Sequence, residues 1–259
     1  MRTDILEFHD FYHEPLGTFA RDMIRSRLRQ AWPSVDGMSI AGFGHCEPIL
    51  EVFDEADRRL SFAPATQGVI RWPQKEQNAA ALIADYHWPL PDASLDRVVI
   101  LHGLEEAGDP RRLLREAWRV LTDDGRLIIV SSHRRGLWSI VGTTPFAHGR
   151  PYLKGQLNSL LVDTMFRAEA WNAALFYPPF DARYLMRVAI TWERAGARLT
   201  TGFGGVIMVE ASKDMARPVA RAVRAPRHPV LSPQIATPRP ATLSTGAGRA
   251  AMDQYDGDG

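Results

Sequence analysis

Hydrophobic and polar positions along this chain switch between two periods, most clearly over residues 78–132. An apolar run at 79–84 ends at Asp85, and a turn-rich segment with Pro89, Pro91, Asp92 and Ser94 follows. A second run at 98–101 ends at His102-Gly103, and a third covers 126–130. Between the last two, Leu113, Leu114, Ala117, Trp118 and Leu121 fall on one face at helical spacing. Asp109 supplies an N-cap, Pro110 suits the first turn and Gly125 supplies a stop. Short β-rich runs parted by a helical pattern predict βαβ units and a parallel sheet. Because the runs are apolar on both faces, the sheet should be covered by helices on both sides.

The same reading extends to the rest of the chain. Ile5, Leu6, Phe8, Phe11 and Tyr12 predict a helix that starts at Thr3 or Asp4, and Pro15 restarts it. Over 16–32, Leu16, Phe19, Ala20, Met23, Ile24, Leu28 and Trp32 recur with Arg21, Arg25, Arg27 and Arg29 between them. That pattern predicts a helix packed on the sheet with a basic solvated face. A strand at 38–41 should run into Gly42-Phe43-Gly44 and then a helix to 56, with a second strand at 60–63. Residues 133–152 read as a long loop, 154–165 as a helix, 171–177 as a strand, 184–199 as a helix and 206–211 as a last strand. The expected organisation is N-terminal helices at 1–35, an α/β domain at 36–212 and a disordered tail at 213–259. The tail is rich in proline, alanine and arginine and nearly lacks aromatics, so it cannot bury enough apolar surface to fold alone.

Composition narrows the function. A net charge of +1 over 259 residues gives no global electrostatic case for nucleic acid or an anionic membrane. The one cysteine, Cys46, excludes an internal disulfide. No apolar run reaches the ~18 residues of a membrane span, and the first ten residues carry acids and histidine rather than a signal-peptide pattern. The chain reads as cytoplasmic. His45, His133 and His148 lack ligand spacing, so no metal is expected.

Several elements in register carry a resemblance: Asp85, Leu90-Pro91, Asp92, Ser94, Leu95, Asp96, Arg119-Val120-Leu121 and Gly125-Arg126-Leu127. In that order they resemble the second half of a class I S-adenosylmethionine-dependent methyltransferase domain, of the broad group called type-11 methyltransferases. The resemblance implies a Rossmann-like seven-stranded sheet, strand order 3-2-1-4-5-7-6, with helices on both faces and the last strand antiparallel. It implies S-adenosylmethionine as cofactor, with Gly42, Gly44, Asp85 and Tyr86 as binding residues and Asp85 on the adenine amino group. It also offers a second reading of the N-terminal helices, as a lid over the cofactor.

Two of the family's anchors are replaced. The acid that helps hold the amino end of the methionine moiety has Ile40 in its place, and the third glycine has Cys46. The acid that takes the ribose hydroxyls has Ala63-Pro64-Ala65, with Gln67 the nearest polar substitute. Cys46 reads as a small filler, and His45 and Glu47 as residues that start a helix or else offer polar contacts instead. His102, after the fourth strand, is the candidate general base, with a capping histidine as the alternative. His133, Trp138, Arg150 and Tyr152, on a long mixed basic and aromatic loop, are the candidate acceptor-binding residues, with a core-packing cover as the alternative. The expected activity is methyl transfer to a small-molecule acceptor, without nucleic-acid or membrane partners. The alternative is a non-catalytic methyltransferase-like binding or scaffold protein with a protein partner. A dinucleotide-dependent oxidoreductase fits less well, because it too needs a strand-end acid for the ribose.

Overall fold

The computed structural model describes residues 2–141, 144–179 and 204–215. The predicted helix at 184–199 and the predicted tail, from residue 216 on, lie outside the described residues. So does Thr143 of the long loop.

Seven strands form one mixed sheet: β1 (Ser39–Gly44), β2 (Arg58–Pro64), β3 (Ala80–Ile83), β4 (Leu95–Leu101), β5 (Leu121–Ser132), β6 (Phe166–Ala174) and β7 (Val206–Lys213). Their order is β3-β2-β1-β4-β5-β7-β6, the order the resemblance implies. The first five run parallel, and β7 pairs antiparallel with both β5 and β6. Alternate residues of the central strands feed opposite cores, as the strand period of two requires. Val99, Leu101, Ile128 and Val130 join the core on one face, with α1 (Ile5–His13) and α2 (Pro15–Ala31). Val98, Ile100, Leu127 and Ile129 join the other, with α4 (Pro110–Val120) and α5 (Lys154–Asp163).

The local signals act as expected at several points. The Asp109 side chain accepts from the amides of Arg111 and Arg112 and Pro110 sits in the first turn, so α4 starts where its cap places it. Asp4 caps α1 by accepting from Leu6 N, and Pro15 opens α2. Gly125 does not stop α4. The helix ends at Val120, β5 begins at once, and residues 122–125 bulge out opposite Asp96 before the ladder resumes at Arg97↔Arg126.

Other elements depart from the sequence pattern for identifiable reasons. The helix expected to reach residue 56 is only α3 (Glu47–Leu50) followed by a 3-10 turn, Glu51–Phe53. Arg25 Nε donates to Pro48 O at 2.6 Å, and Arg29 donates to Val52 O. These carbonyls would otherwise accept bonds in a continuing helix. Arg25 and Arg29 also pair with Glu51 and Glu55, so half of the arginines expected to be solvated on α2 clamp the segment after the glycine turn. The sixth strand begins at Phe166 rather than 171, because β6 is an edge strand of mixed burial with little apolar signal. Among the described residues no helix is long and apolar enough to cross a membrane.

Candidate functional site

In open α/β sheets, ligands bind outside the carboxyl ends of the strands. Here those ends present Gly44 (β1), the turn to Gln67 (after β2), Asp85 (after β3) and His102 (after β4). Gly44 holds φ +102°, and a Cβ there would meet Leu101 O at 2.0 Å. Its freedom lets β1 turn against the end of β4, where His45 N donates to Leu101 O at 3.0 Å. A Cβ on Gly42 would lie 2.3 Å from that of Cys46. Gly42 therefore serves close packing of the turn onto the strand. Cys46 is buried, its Sγ donates to Phe43 O and Val99 O, and burial pushes its thiol pKa up, as a small filler requires.

The N-terminal segment lies across these ends. Phe8 stacks on His45 with ring centroids 5.2 Å apart and meets His102 at 4.8 Å with the rings tilted by 38°. Tyr12 Oη and His102 Nε2 share a buried hydrogen bond of 2.8 Å. Ile5 N donates to Gln67 O, and Thr3 donates to Glu106 through both its amide and its hydroxyl. Arg2 pairs with Asp85, the two side chains being 10% and 17% exposed. The cover is thus tied to three of the four strand ends, and a cavity of about 140 Å³ remains beside it. Its walls include Tyr12, His45, Glu47, Arg71 and Trp72.

Burial sets the protonation of the groups beneath the cover. It lowers the His102 pKa well below the usual histidine value, with His45 and His148 adding to the effect. It raises that of Tyr12, reinforced by Cys46 and Glu105. Glu105 is likewise raised by burial, although Ser132 N donates to its Oε1 at 2.7 Å. His102 adopts φ +57° at the end of β4, and its ring is closed in by Phe8, Tyr12 and Phe146. Tyr86 stands beside Asp85, but its hydroxyl accepts from Asp109 N at 2.6 Å and its ring lies under Arg112, which fixes the start of α4.

The four loop residues separate into two pairs. His133 is buried with Nδ1 3.2 Å from Gly204 O, and Trp138 is fully buried and donates to Tyr177 O at 2.6 Å. Both pack inward, as the covering-loop alternative has it. Arg150 and Tyr152 instead line an open groove of about 620 Å³ with Arg111 and Arg134. Arg150 N donates to Glu105 O, which ties this groove to the loop after β4. Tyr152 has its phenol pKa pushed up to about 12, chiefly by burial. Sequence reasoning missed Arg2 and Thr3, whose polar side chains carry no periodic signal. It found Phe8 and Tyr12 only as an apolar helix face.

Comparison with known proteins fits this architecture. Residues 42–129 match a family described as a methyltransferase domain. Over 120 residues the chain is 37% identical to a probable S-adenosylmethionine-dependent methyltransferase of Mycobacterium tuberculosis, covering 44% of this chain and 42% of that one. The chain therefore spans well under half the length of the curated relative it matches. Among solved structures it is similar to an S-adenosylmethionine-dependent methyltransferase from Thermotoga maritima, with TM-score 0.57, 15% identity and coverage of 81% of this chain and 96% of that one. One from Aquifex aeolicus gives TM-score 0.53 and 13% identity, covering 81% and 98%. The matched stretch begins at Gly42, spans the ends of β1 to β4 and stops within β5, so the seven-stranded sheet of this chain carries a class I methyltransferase domain.

Proposed function

We propose that this chain binds S-adenosylmethionine at the carboxyl ends of β1 to β4 and transfers its methyl group to a small-molecule acceptor. One observation carries the reading. Beneath the N-terminal cover, both amide atoms of Gln67, both carboxylate oxygens of Glu47 and both ring nitrogens of His45 are buried without a hydrogen-bond partner. Proteins satisfy nearly all such atoms, and each orphan costs about 1–3 kcal/mol. Their placement just beyond the carboxyl ends of β1 and β2 supports a ligand that completes them.

The residues present fit this cofactor. Gln67 stands beyond β2, where a carboxylate would take the ribose hydroxyls, and its amide both donates and accepts. Asp85 would accept from the adenine amino group if Arg2 left it. When bound, the cofactor supplies an electrophilic methyl on a sulfonium. Phe8, Tyr12 and Phe146 exclude water around that charge, and aromatic faces favour a cation. Tyr12 orients the neutral ring of His102, and with Nε2–H donating to Tyr12 it is Nδ1 that would accept a proton from an acceptor O–H or N–H. An acceptor that arrives unprotonated needs only positioning. The Arg134, Arg150 and Tyr152 groove has the volume of a small-molecule site and supports a small acceptor with an acidic group.

The cover must move for this to happen. A cavity of about 140 Å³ is well below the ~300 Å³ at which small-molecule sites begin. The N-terminal helix pair therefore works as the lid, with Arg2 as its latch. The test is transfer of a labelled methyl from S-adenosylmethionine to a fractionated pool of small acidic metabolites. Transfer that is lost in Asp85→Ala supports the reading, and a protein that neither transfers label nor binds the cofactor overturns it.

A further inference from the structure

Among the described residues, the Glu47 carboxylate is a buried group left without hydrogen-bond partners. It is 7% exposed, lines the 140 Å³ cavity, and neither oxygen has a hydrogen-bond partner. Its neighbour is His45, 3% exposed, whose Nδ1 lies 3.2 Å from Glu47 Oε2, at ion-pair distance but without hydrogen-bond geometry. A carboxylate withdrawn from water is strongly disfavoured unless a cation and hydrogen-bond donors complete it. The same cavity is also lined by the exposed Arg71, whose Nη2 donates to the backbone oxygen of Glu76 and which pairs with no carboxylate among the described residues. A cavity lined by both an unsatisfied acid and an unpaired guanidinium is complementary to a zwitterion.

On the cofactor reading above, we infer that Glu47, steadied by His45, binds the ammonium of the amino-acid end of the adenosyl cofactor, with Arg71 facing its carboxylate. The position explains a substitution within β1. Ile40 is fully buried on the strand among apolar neighbours, so no charge at that point is available to a ligand. Glu47 stands at the start of α3, beyond the glycine turn, and reaches the cavity from the other side of that turn. Gly42 and Cys46 make this possible, since their close contact folds the turn back on the strand and brings α3 to the cavity wall. The acid function has moved along the chain while the site has stayed where the fold puts it.

The test compares two ligands that share the adenosyl group. S-Adenosylhomocysteine carries the amino-acid end; 5′-methylthioadenosine lacks it. In Glu47→Gln, S-adenosylhomocysteine should bind roughly ten- to a hundredfold more weakly, the range for a lost charged hydrogen bond, while methylthioadenosine binds as it does to the unaltered chain. Glu47→Asp should recover part of the loss and guards against a folding defect in the amide variant. Equal affinity of the unaltered chain and Glu47→Gln for S-adenosylhomocysteine overturns the assignment. So does an equal loss for both ligands, which marks a structural role. If the unaltered chain binds neither ligand, the cofactor reading fails and takes this anchor with it.

Discussion

Removing the Arg2 side chain should strengthen cofactor binding, although Arg2 lies outside the fold's core. Its guanidinium sits on Asp85, and both side chains are largely withdrawn from solvent, so water screens the pair little. A hydrogen bond to a charged group contributes about 1.5–3 kcal/mol. If the adenine amino group must displace Arg2, that energy is subtracted from binding, because apparent affinity falls with the fraction of open molecules. Thr3 on Glu106 and Ile5 on Gln67 hold the rest of the segment and remain in Arg2→Ala. The variant should therefore bind S-adenosylhomocysteine up to ten- to a hundredfold more tightly by calorimetry, and adding Asp85→Ala to Arg2→Ala should reverse that gain. Unchanged or weaker binding by Arg2→Ala would refute the argument, since Arg2 would then be neutral or part of the bound state.

Trp138→Ala should cost about 3–5 kcal/mol of stability in urea unfolding, because it empties a fully buried site and removes the indole N–H that donates to Tyr177 O. Arg150→Ala, on an exposed groove, should leave stability within about 0.5 kcal/mol and lower acceptor turnover instead; matching stability losses would show that the loop is one structural unit. Acid should destabilise the fold. Burial holds His102 and His133 neutral with lowered pKa values, so the unfolded chain binds more protons below its histidine pKa of about 6.5. Their contribution is complete above that pH and is lost as pH falls toward the folded values. Glu105, raised by burial, acts in the opposite sense, being most favourable below its unfolded pKa. Unfolding midpoints measured from pH 8 to 5 should fall, and less steeply in His102→Asn; an identical slope would place the proton uptake elsewhere.

Much of the fold was legible because the central strands are apolar on both faces and α4 carries its own cap. Strand pairs such as Val98↔Leu127 and Val99↔Ile128 follow directly from those runs. The end of α3 was not legible, because arginines twenty-three residues earlier take its carbonyls. The start of β6 was hidden by its mixed burial at the sheet edge. In the site, Asp85, Gly44 and His102 could be placed by strand-end register alone. What faces them could not: Arg2 meets Asp85 only through the path of α1 across the sheet. Glu47 looked like an ordinary helix start until its burial without partners was seen. His133 and Trp138 share a loop with Arg150 and Tyr152, and only the fold determines which of them turn inward.

The central claim is that these strand ends hold an adenosyl cofactor. Calorimetric titration of S-adenosylhomocysteine into the full chain and into Arg2→Ala tests it most directly. The account predicts saturable one-to-one binding that tightens in Arg2→Ala and loses that gain when Asp85→Ala is added to Arg2→Ala. Absence of binding at millimolar ligand in both the full chain and Arg2→Ala would contradict it.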